Sequence, residues 1–240
     1  NPVFKVLHKT AIETGTKAFV VGGFVRDILL KRPNKDIDIV VEGNGIDFAK
    51  KVANKLENVR GLSVFKNFGT AMIKLDDYEL EFVGARKESY THDSRNPLVE
   101  NGTLKDDQER RDFTINAMAF SLNSDDFGAL VDPFNGVADL ENKILKTPLN
   151  PDITYSDDPL RMMRAIRFAT QLNFEIESES LSSIAKNKDR INIISGERIV
   201  DELNKILSSV KPSIGFLHLY QTGLLDLILP ELTALNNVEE

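Results

Sequence analysis

Two aspartates lie two positions apart in the segment DIDIV, at Asp36 and Asp38. Alternate residues of a β-strand point to the same side, so this spacing places two carboxylates next to each other. Neighbouring carboxylates repel unless a cation lies between them, and Mg²⁺ prefers such oxygen ligands. Ile37 and Ile39 would then face the core. The pair therefore predicts a Mg²⁺ site, and the structural alternative is a strand that begins in solvent.

Two adjacent glycines, Gly22 and Gly23, stand upstream of this pair, between an apolar segment and a helical pattern. Glycine lets backbone N–H groups approach a bound group closely, and a helix N-terminus favours phosphate. With the aspartates, the glycines predict a nucleoside triphosphate held through Mg²⁺, in a two-metal geometry that activates an attacking oxygen and stabilises the leaving phosphate. Alone, the glycine pair more often indicates a tight turn.

A third carboxylate often completes such a site, and the segment YELEF offers Glu79 and Glu81 on one face of a later strand. We favour Glu81, because it precedes the apolar pair Phe82 and Val83 and should lie deeper. The alternative is that both glutamates are surface residues.

The composition is that of an ordinary globular protein. The 240 residues are 41% hydrophobic and 28% charged, with no cysteine and three scattered histidines, which disfavours a zinc or thiolate site. No apolar run approaches the ~18 residues of a membrane span, and no signal-peptide pattern follows Asn1, so we expect a cytoplasmic protein without membrane contact. The net charge of −7 argues against broad nucleic-acid binding, although only the local charge distribution decides that.

These candidate residues require strands and helices to position them. Apolar periodicity predicts helices at 3–13, 24–31 and 46–56, strands at 18–21 and 37–41, and two or three antiparallel strands within 62–85. The polar segment from Arg86 to Thr103, which includes Lys87 and Arg95, is predicted to be a loop. It is either a mobile element over the active site, and then the least ordered part of the chain, or a plain surface loop.

The character of the chain changes after Lys146. The segment TPLNPDITYSDDP is typical of a linker, and beyond it we find no convincing strand, only helical patterns at 159–172, 178–187, 197–208 and 214–222. We therefore predict an α/β domain at residues 1–148 and an all-helical domain at residues 149–240.

The first of the later helices carries a regular row of arginines. Asp158 is suited to the N-cap and Pro159 to the first helical position. Arg161, Arg164 and Arg167 recur every three residues, so they form a slanting stripe beside the apolar face. Such a stripe is usually a solvated basic surface.

Four segments together resemble a known family. GGFVRD and DIDIV resemble the nucleotidyltransferase superfamily of DNA polymerase beta, and RRDFTINAMAF (residues 110–120) with DDPLRMMRAIRFA (residues 157–169) narrow the resemblance to the bacterial tRNA nucleotidyltransferase/poly(A) polymerase family, the class II CCA-adding enzymes. The resemblance implies an α+β fold: a polymerase-beta-like head with a mixed, mostly antiparallel sheet, then an all-α neck. The body and tail helices of relatives have no counterpart in the sequence.

The resemblance also implies roles for particular residues. Asp36 and Asp38 would be metal ligands and, with Glu81, catalytic residues. The nucleotide would be bound by ten residues: Gly22, Gly23, Arg26, Arg111, Asp112, Asn116, Asp158, Arg161, Arg164 and Arg167. Arginine suits phosphate oxygens, and Asp or Asn suits ribose hydroxyls. For RRDFTINA the alternative is a charged turn before a buried helix. Asp157 departs from the glutamate usual in the family.

Three residues or groups are interpreted as structural. Asp27 is predicted to form an internal ion pair with Arg26. In SGERIVDEL, similar to a helical motif of the family, Ser195 is predicted to cap a helix that braces the arginine helix through Glu197, Arg198 and Glu202.

An Asp/Arg pair has a specific consequence for base recognition. Cytosine and adenine each present an amine beside a ring-nitrogen acceptor, which matches one carboxylate and one guanidinium, whereas uracil and guanine present the reverse order. Mismatched buried polar groups reject a ligand strongly. Asp158 and Arg161 would therefore select cytosine and adenine together.

The expected function is the template-independent addition of C and A, from CTP and ATP, to the 3′ end of tRNA. Alternatives are a poly(A) polymerase, an enzyme that adds only CC or only A, and a non-catalytic RNA- or nucleotide-binding module. FGTAMI (residues 68–73) is closer to the CCA-adding side, and the intact Asp36, Asp38 and Arg111 argue against a non-catalytic module. The sequence does not set the oligomeric state.

Overall fold

The computed structural model describes residues 2–91 and 94–235, with the side chains of residues 88–91 and 94–99 left out. The chain divides into two compact units. The first comprises Asn1–Glu88 and Leu98–Val137, and the second comprises Ser89–Pro97 and Ala138–Glu240. None of the described helices is both long enough and apolar enough to span a membrane.

The first unit is built on a seven-stranded sheet with the strand order β3-β4-β5-β2-β1-β8-β9. In chain order the elements up to β9 are α1 (Pro2–Thr14), β1 (Ala18–Val21), α2 (Gly23–Leu29), β2 (Asp36–Val41), α3 (Gly45–Ala53), β3 (Gly61–Phe65), β4 (Thr70–Lys74), β5 (Glu79–Gly84), β6 (Arg86–Thr91), β7 (Ser94–Asn101), α4 (Leu104–Glu109), β8 (Ala119–Ser121) and β9 (Leu130–Val131). Residues 89–97, which include parts of β6 and β7, belong to the second unit, whose main part starts at Ala138.

Within this sheet β2 and β5 pair in parallel, and all other neighbours pair antiparallel. The prediction of a mixed, mostly antiparallel sheet is thus confirmed. Ile37 and Ile39 of β2 are fully buried, and Phe48 of α3 packs on Phe82 of β5, with ring centroids 6.1 Å apart. Burial of this apolar layer fixes which face of β2 is left to the two aspartates.

The segment predicted to be a loop, Arg86 to Thr103, instead forms a second, two-stranded sheet from β6 and β7. The segment is mostly polar and shows no regular alternation of polar and apolar residues, so the sequence pattern typical of a strand is missing from it. His92, Asp93 and the side chain of Arg95 lie outside the described residues, so the expected mobility stays a prediction. Thr103 ends the segment by capping α4 through a reciprocal pair of hydrogen bonds with Asp106.

The second unit is mainly helical, as predicted. It begins within α5 (Gly136–Asn142) and continues with β10 (Ile144–Leu145), α6 (Pro151–Asp157), α7 (Leu160–Leu172), β11 (Glu175–Ile176), α8 (Ser178–Asn187), α9 (Gly196–Leu207), α10 (Pro212–Gln221), α11 (Leu225–Ile228) and α12 (Pro230–Ala234). Helix α7 packs against α9 and α10, and its residues Met162, Ala165, Ile166 and Ala169 are buried.

Three expectations for this unit were wrong. The supposed linker contains α6, because Asn150 accepts a hydrogen bond from the backbone of Asp152 and Pro151 occupies the first turn, so this proline starts a helix. The expected absence of strands fails at β11, which pairs in parallel with β10. In addition, the side chain of Ser195 makes no capping hydrogen bond to α9.

Close helix packing at Gly215 in α10 gives a stability prediction. A Cβ there would lie 2.4 Å from Cγ2 of Ile206 and 2.8 Å from Oγ1 of Thr170, whereas a Cβ at Gly196 in α9 would meet nothing within 4 Å. Alanine normally stabilises a helix interior by about 1 kcal/mol over glycine. We expect Gly215→Ala to lower the free energy of unfolding by about 1–3 kcal/mol through overpacking, and Gly196→Ala to be neutral or slightly stabilising. Urea denaturation measures both, and equal stability of the two variants would contradict the packing argument.

Candidate active site

Four carboxylates lie along two neighbouring strands of the first unit. The parallel register places Asp36 beside Glu79 and Asp38 beside Glu81, and register partners in a parallel pair point to the same side. Asp36 is exposed, whereas Asp38 is half-buried. The strand pairing therefore brings the two predicted metal ligands together with both candidates for the third carboxylate.

The structure favours Glu81 over Glu79 as the candidate third carboxylate for a different reason from the one that the sequence suggested. Glu81 is the more exposed of the two, so the argument from depth was wrong. The Oε1 atom of Glu79 lies 2.8 Å from Nζ of Lys74, which neutralises it. Among the residues that the structure describes, no three Asp, Glu or His side chains are arranged to hold a metal ion, so Glu81 as a third ligand stays a prediction.

The environment of Asp38 disfavours its negative charge. Burial raises the pKa of this carboxyl from 3.8 to about 6, the cation of Arg111 opposes the rise, and the neighbouring carboxylates of Glu81 and Asp36 add to it. A carboxylate with this electrostatic environment gains from a bound cation. The pair Asp36 and Asp38 thus fits a divalent metal.

Gly22 is the point at which the glycine motif meets this strand. It precedes α2 with φ 77°, directly after Val21, which pairs with Asp38 across β1 and β2. A Cβ at Gly22 would lie 2.9 Å from Nη1 of Arg111 and 3.2 Å from Oδ2 of Asp38. A Cβ at Gly23 would make only ordinary contact, 3.5 Å from Nη2 of Arg26. Of the two glycines in the motif, only Gly22 is therefore required to be glycine by its backbone angle and its close neighbours.

Arg111 is held in place by an acidic residue that the sequence analysis missed, Asp107. Nε of Arg111 donates to Oδ2 of Asp107 at 2.8 Å, and Arg110 binds the other oxygen of this fully buried carboxylate. Burial raises the pKa of Asp107, but the two guanidinium groups outweigh it and keep that pKa below the ordinary value. The spacing of Asp107 to Arg111, i to i+4 across the end of α4, was the available signal.

A buried hydrogen-bond network connects the two sequence motifs of the first unit. Nη1 of Arg26 donates to Oδ1 of Asn116 at 2.8 Å, and Nδ2 of Asn116 donates to Oδ1 of Asp112 at 3.0 Å. The guanidinium of Arg26 also forms the predicted ion pair with Asp27, at 2.9 Å. GGFVRD and RRDFTINA are therefore parts of one site.

In the second unit, Asp158 and Arg161 lie at the junction of α6 and α7. Oδ1 of Asp158 accepts a hydrogen bond from the backbone N of Leu160 at 3.2 Å. The prediction of Asp158 as the N-cap and Pro159 as the first helical residue was wrong by one position, because Pro159 stands at the N-cap and no side chain caps α7. Nη1 of Arg161 donates to the carbonyl of Thr154 at 3.4 Å. Both side chains are thus oriented by the same helix junction.

The other two arginines of α7 flank an aromatic ring. The Cζ atoms of Arg164 and Arg167 lie 5.4 Å and 4.1 Å from the ring centroid of Phe168. Arg167 is buried, and its Nε lies 3.1 Å from Oε2 of Glu202 in α9. The predicted bracing of α7 by α9 is confirmed for Glu202, and its partner is an arginine expected to bind nucleotide, a role that stays a prediction.

Arg190 is a further residue at this junction that the sequence analysis did not identify. Its Nη2 and Nε donate to the carbonyl of Ser156 at 2.8 Å and 3.1 Å. This fork satisfies a carbonyl near the end of α6, two residues before Asp158. A separation of 34 residues between Arg190 and Ser156 leaves no local pattern from which the contact could be predicted.

Comparison with known proteins finds a matching head-domain family and relatives named as nucleotide-adding enzymes. Residues 18–146 match the poly(A) polymerase head domain, and residues 173–235 match a probable RNA- and SrmB-binding site of polymerase A. The chain is 43% identical over 195 residues to an A-adding tRNA nucleotidyltransferase of Aquifex aeolicus, covering 80% of the chain and 23% of the relative. It is 38% identical over 218 residues to a CCA-adding enzyme of Pediococcus pentosaceus, covering 88% and 52%.

Solved structures agree with these relatives. A CCA-adding enzyme in an apo form superposes with a TM-score of 0.87 at 35% identity, over 96% of this chain and 54% of that one. A tRNA nucleotidyltransferase complexed with a primer tRNA and an incoming ATP analogue gives a TM-score of 0.82 at 35% identity, over 93% and 62%. The chain thus spans between about a quarter and somewhat over half of the lengths of these relatives. From the matched head domain and the shared fold, we conclude that the chain belongs to the tRNA nucleotidyltransferase/poly(A) polymerase family.

Proposed function

We propose that this chain is the catalytic head and neck of an enzyme that adds nucleotides to the 3′ end of tRNA without a nucleic-acid template. The observation that supports this most directly is the convergence at Gly22. Oδ2 of Asp38 and Nη1 of Arg111 lie within 3.2 Å of the position that a Cβ of Gly22 would occupy. A metal-binding oxygen and a phosphate-binding guanidinium thus flank one glycine turn, as transfer from a nucleoside triphosphate requires.

Asp36 and Asp38 would hold Mg²⁺, with Glu81 beside Asp38 as the third carboxylate. The raised pKa of Asp38 supports this assignment. A bound divalent cation would offset both the burial of the carboxylate and its repulsion from Asp36 and Glu81. When bound, Mg²⁺ supplies activation of the attacking 3′ hydroxyl and charge neutralisation on the triphosphate, in the two-metal arrangement.

The protein groups orient the nucleotide. Asp107 fixes the Arg111 guanidinium, so its charge is directed at phosphate oxygens without reorganisation at the moment of transfer. The network from Arg26 through Asn116 to Asp112 holds two side chains suited to ribose hydroxyls in a single arrangement. Gly22 and Gly23 provide room for the triphosphate beside the backbone.

In the neck, Asp158 and Arg161 would read the edge of the incoming base, with Arg164 and Arg167 supporting its binding. CTP and ATP are then the donors. Addition of A alone is a second candidate, favoured by the A-adding activity named for the Aquifex aeolicus relative and for a Geobacter sulfurreducens relative that is 39% identical over 234 residues, covering 96% of this chain and 26% of the relative. A poly(A) polymerase shares the head domain and is the third.

Two further proposals follow from tRNA as the substrate and from the domain match. Processing of tRNA ends would place the enzyme in the cytoplasm. The boundary between head and neck is proposed at residues 148 and 149, immediately after the head-domain match, which ends at residue 146.

The metal assignment predicts a loss of transfer. Asp36→Asn and Asp38→Asn should each abolish nucleotide addition, because each removes a metal-binding charge, while Glu79→Gln, whose carboxylate is paired with Lys74, should retain most activity. Incubation of each variant with Mg²⁺, one labelled nucleoside triphosphate at a time and tRNAs ending before, within or after CCA measures this. Near-normal turnover in both aspartate variants would exclude the assignment.

The pKa of Asp38 predicts an effect on stability without metal. Because its pKa rises from 3.8 to about 6, the folded protein binds the proton more tightly than the unfolded chain, and stability falls as pH rises from about 4 to 6. Above that range the full penalty applies. Asp38→Asn should therefore raise the free energy of unfolding at pH 7 in EDTA by about 1–3 kcal/mol.

The control for this prediction is the same comparison at pH 4 or below, where the advantage of Asp38→Asn should disappear. Urea denaturation in EDTA at both pH values measures it. A variant no more stable than the wild type at pH 7 would show that the carboxylate carries no desolvation penalty.

The base-reading assignment predicts a change of selectivity in Asp158→Asn. Asparagine can still accept the hydrogen bond from Leu160, so this contact at the start of α7 should be preserved. Its amide can also donate to the carbonyl of UTP or GTP. We expect kcat/KM for CTP and ATP to fall about tenfold or more, discrimination against UTP and GTP to weaken, and the free energy of unfolding to stay unchanged.

Steady-state kinetics with all four triphosphates on tRNA lacking its terminal nucleotides test this. Asp158→Ala loses both the hydrogen bond to Leu160 and the carboxylate. Its comparison with Asp158→Asn therefore separates the role in holding the helix from the role in reading the base. An equal loss for all four nucleotides in Asp158→Asn would mean that the carboxylate only holds the helix.

A further inference from the structure

Residues 31–35, which lie between α2 and β2 and which we name the basic loop, carry three exposed cations: Lys31, Arg32 and Lys35. In the part of the chain that the structure describes, no carboxylate lies within salt-bridge distance of any of them. Their charges are therefore presented to solvent without a carboxylate partner among the described residues.

This contrasts with most other cations of the first unit. Lys17 lies 3.7 Å from Glu42, Lys74 lies 2.8 Å from Glu79, and Arg60 pairs with Asp76. In a chain of net charge −7, such pairing leaves little positive surface. The basic loop is thus a local concentration of positive charge on an acidic protein, and local charge rather than net charge decides where a polyanion binds.

The backbone of the basic loop is fixed at both ends. The N–H of Arg32 donates to the carbonyl of Asp27 at 2.8 Å, and Nδ2 of Asn34 donates to Oδ2 of Asp27 at 2.7 Å. Oδ1 of Asn34 accepts from the backbone N of Asp36 at 2.8 Å, and the carbonyl of Lys35 accepts from the N–H of Glu79 at 2.9 Å. Because the backbone is ordered before binding, a ligand does not have to order it.

The position of the basic loop relates it to the candidate active site. Lys35 immediately precedes Asp36, the first of the two aspartates on β2. Asp27, which anchors the loop, also pairs with Arg26 of the nucleotide-binding network. A polyanion on the loop would therefore lie next to the strand at which the transfer is proposed to occur.

We propose that the basic loop binds the phosphodiester backbone of the acceptor RNA, close to its reacting 3′ end. This inference rests on the proposed function and names a protein surface that holds the RNA substrate. Lys31, Arg32 and Lys35 neutralise phosphates and release counter-ions, which gives affinity and position without reading sequence.

The test uses a triple variant of the full chain, Lys31→Gln, Arg32→Gln and Lys35→Gln. Its control, Lys9→Gln, Lys50→Gln and Lys51→Gln, removes the same charge from exposed positions elsewhere on the first unit. Fluorescence anisotropy with labelled tRNA should show about ten- to a hundredfold weaker binding at low salt for the loop variant, and a log–log salt slope shallower by about 2–3. The control should change both quantities far less.

Each other outcome has a defined meaning. Unchanged RNA affinity and slope, or an equal effect in the control, would overturn the inference. So would a parallel loss of ATP affinity, measured by calorimetry, because the loop would then serve the nucleotide. Arg32→Glu alone, with its fold checked by circular dichroism, provides a second measurement if the triple variant misfolds. A wild type that binds RNA through the loop but transfers no nucleotide would refute the proposed function and leave this inference standing.

Discussion

The structure of the site depends on the crowding of negative charge where β2 pairs with β5. Parallel pairing sets Asp36 and Asp38 beside Glu79 and Glu81. Burial, with repulsion from the neighbouring carboxylates, raises the pKa of Asp38. Such an arrangement is unfavourable for the free protein and favourable once a cation is present. Two cations near this region are each held by a specific carboxylate. Lys74 neutralises Glu79, and Arg111 approaches Asp38 while remaining tied to Asp107. This is the region at which we propose that metal and phosphate are bound together.

The elements that carry this region could largely be predicted from sequence. The resemblance to the family implied roles for Arg26, Arg111 and Asn116, which the structure connects. Alternation in DIDIV identified β2 and its buried face, and apolar periodicity located α1, α3 and α8. These features are local, because a strand face or a helix stripe is determined by residues two to four positions apart. The parallel register of β2 and β5, which brings Glu81 beside Asp38, joins segments about 40 residues apart and has no local signature.

The errors of the sequence-based predictions share a physical origin. They concern elements that are short or that are stabilised by residues far away in the sequence. Helix α6 has only seven residues and lies in a proline-rich segment, so the pattern of a linker concealed a capped helix start. The pairing of β6 with β7 depends on a partner strand rather than on apolar content. The depth inferred for Glu81 was wrong because hydrophobic neighbours in sequence do not determine exposure at a given position of the sheet. Arg190 and Asp107 were missed because their function is to orient other residues.

In each unit, ion pairs or hydrogen bonds to the backbone orient particular arginines or the residues next to them. Asp107 fixes Arg111, Glu202 fixes Arg167, and Arg190 fixes the end of α6 beside Asp158. A guanidinium held by a buried carboxylate loses little conformational freedom on binding a ligand, so its selectivity comes from geometry rather than from charge alone. The basic loop shows the complementary arrangement, with cations that have no carboxylate partner among the described residues and lie on a fixed backbone. Paired arginines suit the defined shape of one nucleotide, whereas cations without such partners suit the repeating charge of an RNA strand. The proposed function and the proposed role of the basic loop would therefore allow an acidic chain to bind RNA at one place and select a single nucleotide at another.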